Sequence, residues 1–174
     1  MHRFLIGPAP RLLVIGLIVL GIQRAVFARH PIGDVKLQLV LALVVAAGAG
    51  GGADRGAVAG FTLGLMYDLG GNTPLGLTAL AYGLGGIVAG YLHNFTPDPQ
   101  WWLAAIFAML GGGVGELAVP IADVVTGEGG WISRDILVTV PVVALFCGVM
   151  CALLLPIGRW MMGFKRKKWK AMTE

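Results

Sequence analysis

The feature that most constrains this chain is a series of six apolar segments separated by short turns. About 20 consecutive apolar residues are enough to cross the hydrocarbon core of a bilayer as a helix. Only 13% of the residues are charged and the mean hydropathy is +0.82, whereas about a quarter of the residues in a soluble domain are charged. The sequence therefore predicts an all-α polytopic membrane protein, with residues 1–174 forming one transmembrane domain of six helices and short loops. The predicted spans are residues 11–27, 35–52, 56–69, 75–92, 101–125 and 136–160.

The distribution of Lys and Arg predicts the orientation of the spans. With the N-terminus in the cytoplasm, the inner side carries nine basic residues: Arg3, Arg11, Arg55, Arg159, Lys165, Arg166, Lys167, Lys168 and Lys170. The remaining four are Arg24, Arg29, Lys36 and Arg134. This excess predicts that both termini are cytoplasmic. A five-span arrangement, in which segment 56–69 re-enters the membrane from one side, is the alternative.

The C-terminal segment 161–174 is strongly basic and is predicted to be a cytoplasmic tail. Its cationic residues are Lys165, Arg166, Lys167, Lys168 and Lys170. They indicate contact with anionic lipids or with an acidic cytoplasmic partner, or they act only as a topology signal. Binding to nucleic acid is not expected, because the positive charge lies next to the membrane rather than on a folded basic face.

Small residues recur every four positions in the third and fifth segments, where each stripe leads to a carboxylate, and at spacings of three or four in the fourth segment. The third segment has Gly52, Gly56, Gly60, Gly64 and then Asp68; the fourth has Ala79, Gly83, Gly86 and Gly90; the fifth has Ala104, Ala108, Gly112 and then Glu116. Such stripes let a second helix approach closely. They predict tight contacts of these helices with one another or with the transmembrane helix of a partner.

Three charged residues fall at a similar depth in the outer half of the predicted membrane. Counted at 1.5 Å per residue from Arg11, Arg55 and Trp101, the residues Arg24, Asp68 and Glu116 lie about 20, 20 and 22 Å along their helices. We expect Arg24 to pair with one or both carboxylates beside an outward-facing polar pocket, because charges within a membrane are costly. The alternative is that each side chain reaches the outer interface separately.

No enzyme, metal or cofactor site is predicted. Ser133 is the only serine, and it has no neighbouring His and Asp that would activate it as a nucleophile. The three histidines, His2, His30 and His93, are scattered and lack the spacing of a metal site. An acid and base pair formed by Asp68 and Glu116 is the one catalytic or proton-transfer alternative that the sequence offers.

Residues 56–92 resemble the signature region of the rod shape-determining protein MreD family. The similarity lies in the glycine-rich run from Gly60 to Leu69 that contains Gly64 and Asp68, and in the following Pro74-Leu75-Gly76-Leu77-Thr78-Ala79-Leu80. Gly86 and Gly90 extend it, although Ile87 stands where the family often has Tyr. The chain length, the number of spans and the basic tail agree with the family as well.

The resemblance implies a non-enzymatic scaffold of the bacterial inner membrane that supports cell shape and lateral peptidoglycan synthesis. Its expected partner is a bitopic MreC-like protein, together with RodA, a penicillin-binding protein and the MreB filament. Gly60, Gly64, Asp68, Pro74 and Gly76 are the expected structural and partner-contact centre, and replacing Gly64 with Leu is expected to impair assembly.

The family fold also resembles the six-helix substrate-binding component of energy-coupling-factor vitamin transporters, which supplies the alternative function. In that case the outer pocket, lined by Asp68, Glu116 and Trp131, would bind a small ligand. Against it, the first helix lacks the Ala-x-x-x-Ala pattern expected of such components. The loops that would line the outer pocket of this chain are also poor in directional polar groups.

Overall fold

The computed structural model describes residues 8–27, 37–71, 74–96, 100–126 and 136–161, and within these ranges it is all-helical with no strand. Its six main helices are α1 (Pro8–Ile22, followed by a π-helical turn over Gln23–Phe27), α2 (Leu39–Gly51), α3 (Ala53–Leu69), α4 (Leu77–Gly90), α5 (Trp101–Thr126) and α6 (Ile136–Met161). A single helical turn, Leu92–Phe95, follows α4.

Each helix coincides with one predicted segment, and the ends differ by no more than four residues when the π-helical turn is included with α1. One predicted loop is wrong. Residues 53–55 form the first turn of α3, and the connection from α2 is Gly52 alone, with φ +94°. Glycine adopts positive φ without steric cost, so the chain reverses direction in one residue. Asp54 then lies in the first turn of α3, where its charge complements the helix dipole.

Helix α2 lies at the centre of the bundle. All of its residues from Val40 to Gly50 are buried, and it packs against α3, α4, α5 and α6. Helix α4 contacts α3 on one side and α5 on the other, while α6 contacts α2 and α5. Helix α1 is peripheral and touches α2, α3 and α6 more lightly. The core is therefore a five-helix cluster around α2, with α1 on its outside.

The outer faces of α1, α5 and α6 are covered with large apolar side chains. On α6, for example, Leu145, Val149 and Leu153 are between 59% and 68% exposed. Helices α5 and α6 are long and apolar enough to cross a membrane, and less than a third of each apolar stretch is buried inside the bundle. Most of both apolar stretches is thus exposed, and such faces suit contact with lipid.

Candidate functional site

At one end of the bundle, three helices meet backbone to backbone. Gly48 of α2 and Gly56 of α3 both face the carbonyl group of Gly86 in α4, and Gly90 faces Ala53 at the start of α3. A Cβ atom added at Gly48, Gly56 or Gly86 would overlap main-chain atoms of a neighbouring helix. We call this region, defined by Gly48, Gly56, Gly86 and Gly90, the glycine end.

The α3 stripe continues along α4. A Cβ atom at Gly60 would overlap the carbonyl group of Tyr82, and one at Gly64 would lie 2.5 Å from the Cα atom of Ala79. The stripe predicted from sequence therefore packs against α4 of the same chain. Contact of Gly60 and Gly64 with a partner stays a prediction, whereas their role in joining α3 to α4 follows from the geometry.

Asp68 connects the end of α3 to the start of α4. Its side chain is only 2% exposed, and its Oδ2 atom accepts hydrogen bonds from the backbone N–H groups of Gly76 at 2.9 Å and Ala79 at 3.3 Å. The first N–H groups of a helix have no partner within the helix, so a carboxylate placed there caps it and complements its dipole. Gly76 has φ +94°, which directs its N–H back toward α3. Pro74 precedes it and accepts a hydrogen bond from Leu77 N–H at 3.3 Å.

A second cap of the same kind lies beside it. Gln23, in the π-helical turn after α1, is 6% exposed, and its Oε1 atom accepts a hydrogen bond from Val40 N–H at 2.8 Å. The next residue, Arg24, directs its guanidinium against Gly70 at the end of α3, where an added Cβ atom would lie 2.7 Å from Nη2. Arg24 thus reaches the helix end that carries Asp68, while its pairing with Asp68 or Glu116 stays a prediction.

Glu116 belongs to a hydrogen-bonded triad that links three helices. Gln38, just before α2, donates from Nε2 to Glu116 Oε2 at 2.6 Å, and its Oε1 atom accepts from the hydroxyl of Tyr82 at 2.5 Å. The Tyr82 ring is 1% exposed and lies 6.1 Å from the ring of Tyr67. We call the region defined by Gln23, Gln38, Asp68, Tyr82 and Glu116 the polar end.

Asp68 and Glu116 were predicted from the sequence, whereas Gln23, Gln38 and Tyr82 were not. The usable signal is that a glutamine at the edge of an apolar segment needs a polar partner once it is buried. The basic tail residues Lys165, Arg166, Lys167, Lys168 and Lys170 lie outside the described residues, as does Trp131.

The described residues line cavities beside α1 and at the glycine end. One is an apolar groove of about 670 Å³ between α1, α2 and α6, which extends from Ile22 and Leu39 to Trp160. The other, of about 500 Å³, lies at the glycine end between the start of α3 and the end of α4, and Asp54 and Asn94 contribute to it.

Comparisons with models of protein families, with curated proteins and with solved structures find no match for this chain.

Proposed function

We propose that the chain crosses the bacterial inner membrane six times with both termini in the cytoplasm. The exposed apolar faces of the outer helices support this placement. So does the charge distribution, because Arg11, Arg55 and Arg159 lie at the glycine end, while Arg24 lies at the opposite end. Under the positive-inside rule, the glycine end faces the cytoplasm. Trp160 lies at the same end, as expected of an interfacial anchor.

Helices α2 and α4 contain 13 and 14 residues, fewer than the roughly 20 that span a bilayer alone. Their neighbours compensate for this. Helix α2 is enclosed by other helices, and at its start the backbone N–H of Val40 is bonded to Gln23. Irregular or short segments are tolerated at membrane depth when protein surrounds them.

We further propose that the protein is a non-enzymatic scaffold of the cell-elongation complex that binds a bitopic MreC-like protein. The observation that carries the proposal is the unit formed by α3, the turn and α4. The residues by which the sequence resembles the MreD family, Gly60, Gly64, Asp68 and Gly76, are the residues that fix these two helices against each other. A motif that fixes the relative position of two helices fits a scaffold, because a scaffold binds its partners through a surface of defined shape.

The arrangement at the polar end favours the scaffold over the transporter component. The transporter alternative requires polar groups that face a pocket and await a ligand. Here Glu116 and Tyr82 are bonded through Gln38, and Asp68 holds backbone N–H groups of α4. These polar atoms serve to join helices. The acid and base alternative loses support for the same reason.

The partner helix is expected on an outward face of the bundle. The glycine stripes of α3 and α4 face each other, which leaves the exposed faces of α4, α5 and α6 for a partner. Photo-crosslinking residues at Leu80, Leu110 and Leu145, which are 54% to 64% exposed, would sample one face each. The position that captures the partner identifies the docking helix.

The deciding experiment is purification of the tagged full chain from its native host in a gentle detergent, with mass spectrometry of every co-purifying protein. We expect an MreC-like bitopic protein together with wall-synthesis enzymes, and we expect depleted cells to lose their rod shape. Recovery of a pair of ATPases with a coupling membrane subunit would overturn the scaffold and support the transporter.

A matched pair of variants tests the role of the motif in assembly. Gly64→Leu would force α3 away from α4, so we expect loss of both folded protein and partner recovery. Gly21→Leu is the control, because Gly21 is an exposed helical residue and an added Cβ atom there meets nothing within 4 Å. A Gly64→Leu protein that keeps normal partner recovery and cell shape would contradict the assigned role of the motif.

A further inference from the structure

The outer surface between α3 and α4 is an apolar cleft. Phe61 of α3 forms one wall, Leu80 and Leu84 of α4 form the other, and all three side chains are exposed. Gly83 lies at the bottom, where an added Cβ atom would be 3.9 Å from main-chain atoms of Ala57 and Phe61. We call this surface, defined by these five residues, the outer cleft. No helix in the described part of the chain packs over its walls, which are therefore open to lipid or to another protein.

The outer cleft leads into a polar cavity at the glycine end. Ala57 and Ile87 line the part of this cavity that is nearer the cleft, and Asp54, Tyr91 and Asn94 line the part that is nearer the end of the bundle. The volume is about 500 Å³. Among the described residues that line the cavity, Asp54 alone is charged, and its side chain is exposed. The surface thus changes from apolar to acidic toward the glycine end.

This change of polarity is complementary to a long basic side chain. Lys and Arg have an apolar stem and a cationic end group that donates hydrogen bonds. The stem can lie on Ala57 and Ile87, while the end group reaches the carboxylate of Asp54 and the amide oxygen of Asn94. An anionic group would be repelled there, because like charges placed side by side are unfavourable.

The membrane placement proposed above says which molecule brings such a side chain to this depth. The glycine end faces the cytoplasm in that placement, so the cavity lies at the cytoplasmic boundary of the membrane. Membrane-spanning helices carry an excess of Lys and Arg at their cytoplasmic ends. The long side chains of these residues extend from the helix toward the interface. A helix that lies in the outer cleft therefore brings its own basic residues to the cavity.

We propose that the outer cleft is the docking site for the membrane-spanning helix of the bitopic partner, and that a Lys or Arg at the cytoplasmic end of that helix binds Asp54. The apolar stretch of the partner helix packs on Phe61, Leu80 and Leu84, while the ion pair fixes its depth in the membrane. The inference rests on the scaffold function proposed above, and it adds the face that binds and the chemistry that is recognised.

Photo-crosslinking in the native host tests the face. The photoreactive residue p-benzoylphenylalanine replaces Leu84 or Tyr91 on the α4 side of the cleft and cavity, and it replaces Leu110 on α5 or Leu145 on α6 as controls. The four native side chains are matched at 50% to 59% exposure. We expect capture of the partner at Leu84 and Tyr91, and none above the unirradiated background at the controls. At Tyr91, the captured peptide should come from the cytoplasmic end of the partner's membrane-spanning helix.

Changes of charge test the role of Asp54. Asp54→Asn should lower recovery of the partner by up to about fivefold, the upper range for an exposed ion pair. Asp54→Lys should lower it by more than about tenfold, because two cations then meet, and Asp54→Glu should retain it. Gln100→Lys is the control, since it adds the same single positive charge as Asp54→Asn just before α5, outside the cavity. The amount of folded chain in the membrane is measured in each sample.

A reversed ion pair separates recognition from a structural role of Asp54 in α3. In cells that carry Asp54→Lys, each basic residue at the cytoplasmic end of the partner's helix is changed to Glu in turn. We expect one of these changes to restore recovery of the partner, although the same change lowers recovery by the unaltered chain. A change in the partner does not repair a folding defect of this chain, so a purely structural role predicts no rescue.

Several results would overturn the proposal. Capture at Leu110 or Leu145 but not in the outer cleft would move the partner to another face. Capture of a second copy of this chain at Leu84 would make the cleft a dimer interface, and no capture there despite normal recovery of the partner would mean that lipid fills it. Unchanged recovery with Asp54→Lys would remove the role of the carboxylate.

The scaffold function and the docking site fail in different ways. Purification without an MreC-like protein overturns the scaffold function. The docking site would still be supported if Leu84 and Tyr91 captured another membrane-spanning protein whose binding is lost in Asp54→Lys and restored by a reversed charge. If no protein were captured at either position, the docking site would be overturned as well.

Discussion

The two ends of the bundle hold the helices together by different kinds of contact. At the glycine end, α2, α3 and α4 approach because Gly48, Gly56 and Gly86 have no side chains, and main-chain atoms touch directly. At the polar end, the same helices are joined by side chains that reach across, with Asp68 bonded to the start of α4 and Gln38 bonded to Tyr82. The first kind of contact tolerates no added atom, whereas the second depends on particular polar atoms.

This difference has a consequence for the whole protein. Without a hydrophobic driving force between helices in lipid, association depends on close packing and on hydrogen bonds between helices. Here the close backbone contacts run along α3 and α4 from Gly56 to Gly64, whereas the hydrogen bonds of Asp68 and Gln38 lie at the polar end. Substitutions at the glycine end should therefore act through steric overlap, and those at the polar end through loss of hydrogen bonds.

The largest effect is expected for Gly86→Ala at the glycine end. The new methyl group would overlap the carbonyl group of Gly56, and a backbone atom cannot move aside as a flexible side chain can. We expect a loss of about 3 kcal/mol in unfolding free energy, at the upper end of the usual cost of overpacking. The measurement is unfolding of the purified chain in detergent micelles.

Gly83→Ala provides the control for Gly86→Ala. It lies on the same helix, is also buried, and has no atom within 3.9 Å of an added Cβ. We expect it to be neutral or slightly stabilising, because Ala favours the helix over Gly. Equal losses at the two positions would show that the effect comes from the α4 backbone and not from contact between helices.

At the polar end, the largest effect is expected for Asp68→Ala. The change leaves the N–H groups of Gly76 and Ala79 without their acceptor in a buried site. An unsatisfied buried group costs about 1 to 3 kcal/mol, so we expect a loss of about 2 kcal/mol in unfolding free energy. Asp68→Asn keeps an acceptor oxygen and should lose less than half as much. If Asn is as damaging as Ala, the negative charge of Asp68 has a role other than capping.

The sequence predicted the glycine end better than the polar end. A stripe of small residues is local and periodic, so the spacing of Gly56, Gly60 and Gly64 by itself indicates a close contact between helices. The spacing does not identify which helix is contacted. In the structure, that helix is α4 of the same chain.

The triad of Gln38, Tyr82 and Glu116 spans 78 residues of sequence, and it exists only once α2, α4 and α5 are assembled. Single polar residues in apolar segments carry a signal that a partner exists but not which one. The cap by Asp68 is nearer in sequence, yet it depends on the positive φ at Gly76 that turns the N–H group back.

A double-mutant cycle on this triad should give a smaller effect. Gln38→Leu removes both of its hydrogen bonds, and Tyr82→Phe removes only the hydroxyl. We expect a coupling energy of about 0.6 kcal/mol between the two changes, the average for hydrogen bonds between membrane helices. Unfolding of the two single variants and the double variant in micelles gives the value. Strict additivity would mean that the Tyr82 hydroxyl does not depend on Gln38 for its stabilising effect.

The smallest effect is expected for Gly70→Ala, which repeats the chemistry of Gly86→Ala at the opposite end. Gly70 has φ −97°, a conformation that alanine adopts without strain. The three atoms nearest to the added methyl group all belong to the guanidinium of Arg24, the closest of them at 2.7 Å. That group is the end of a long, exposed side chain and can shift, so we expect a change below about 0.5 kcal/mol, as at ordinary surface positions. A loss above about 1 kcal/mol would instead show that Arg24 is held in place, which is the result expected if it pairs with a carboxylate at the polar end. The same methyl group therefore distinguishes a contact made by backbone from one made by a movable charge.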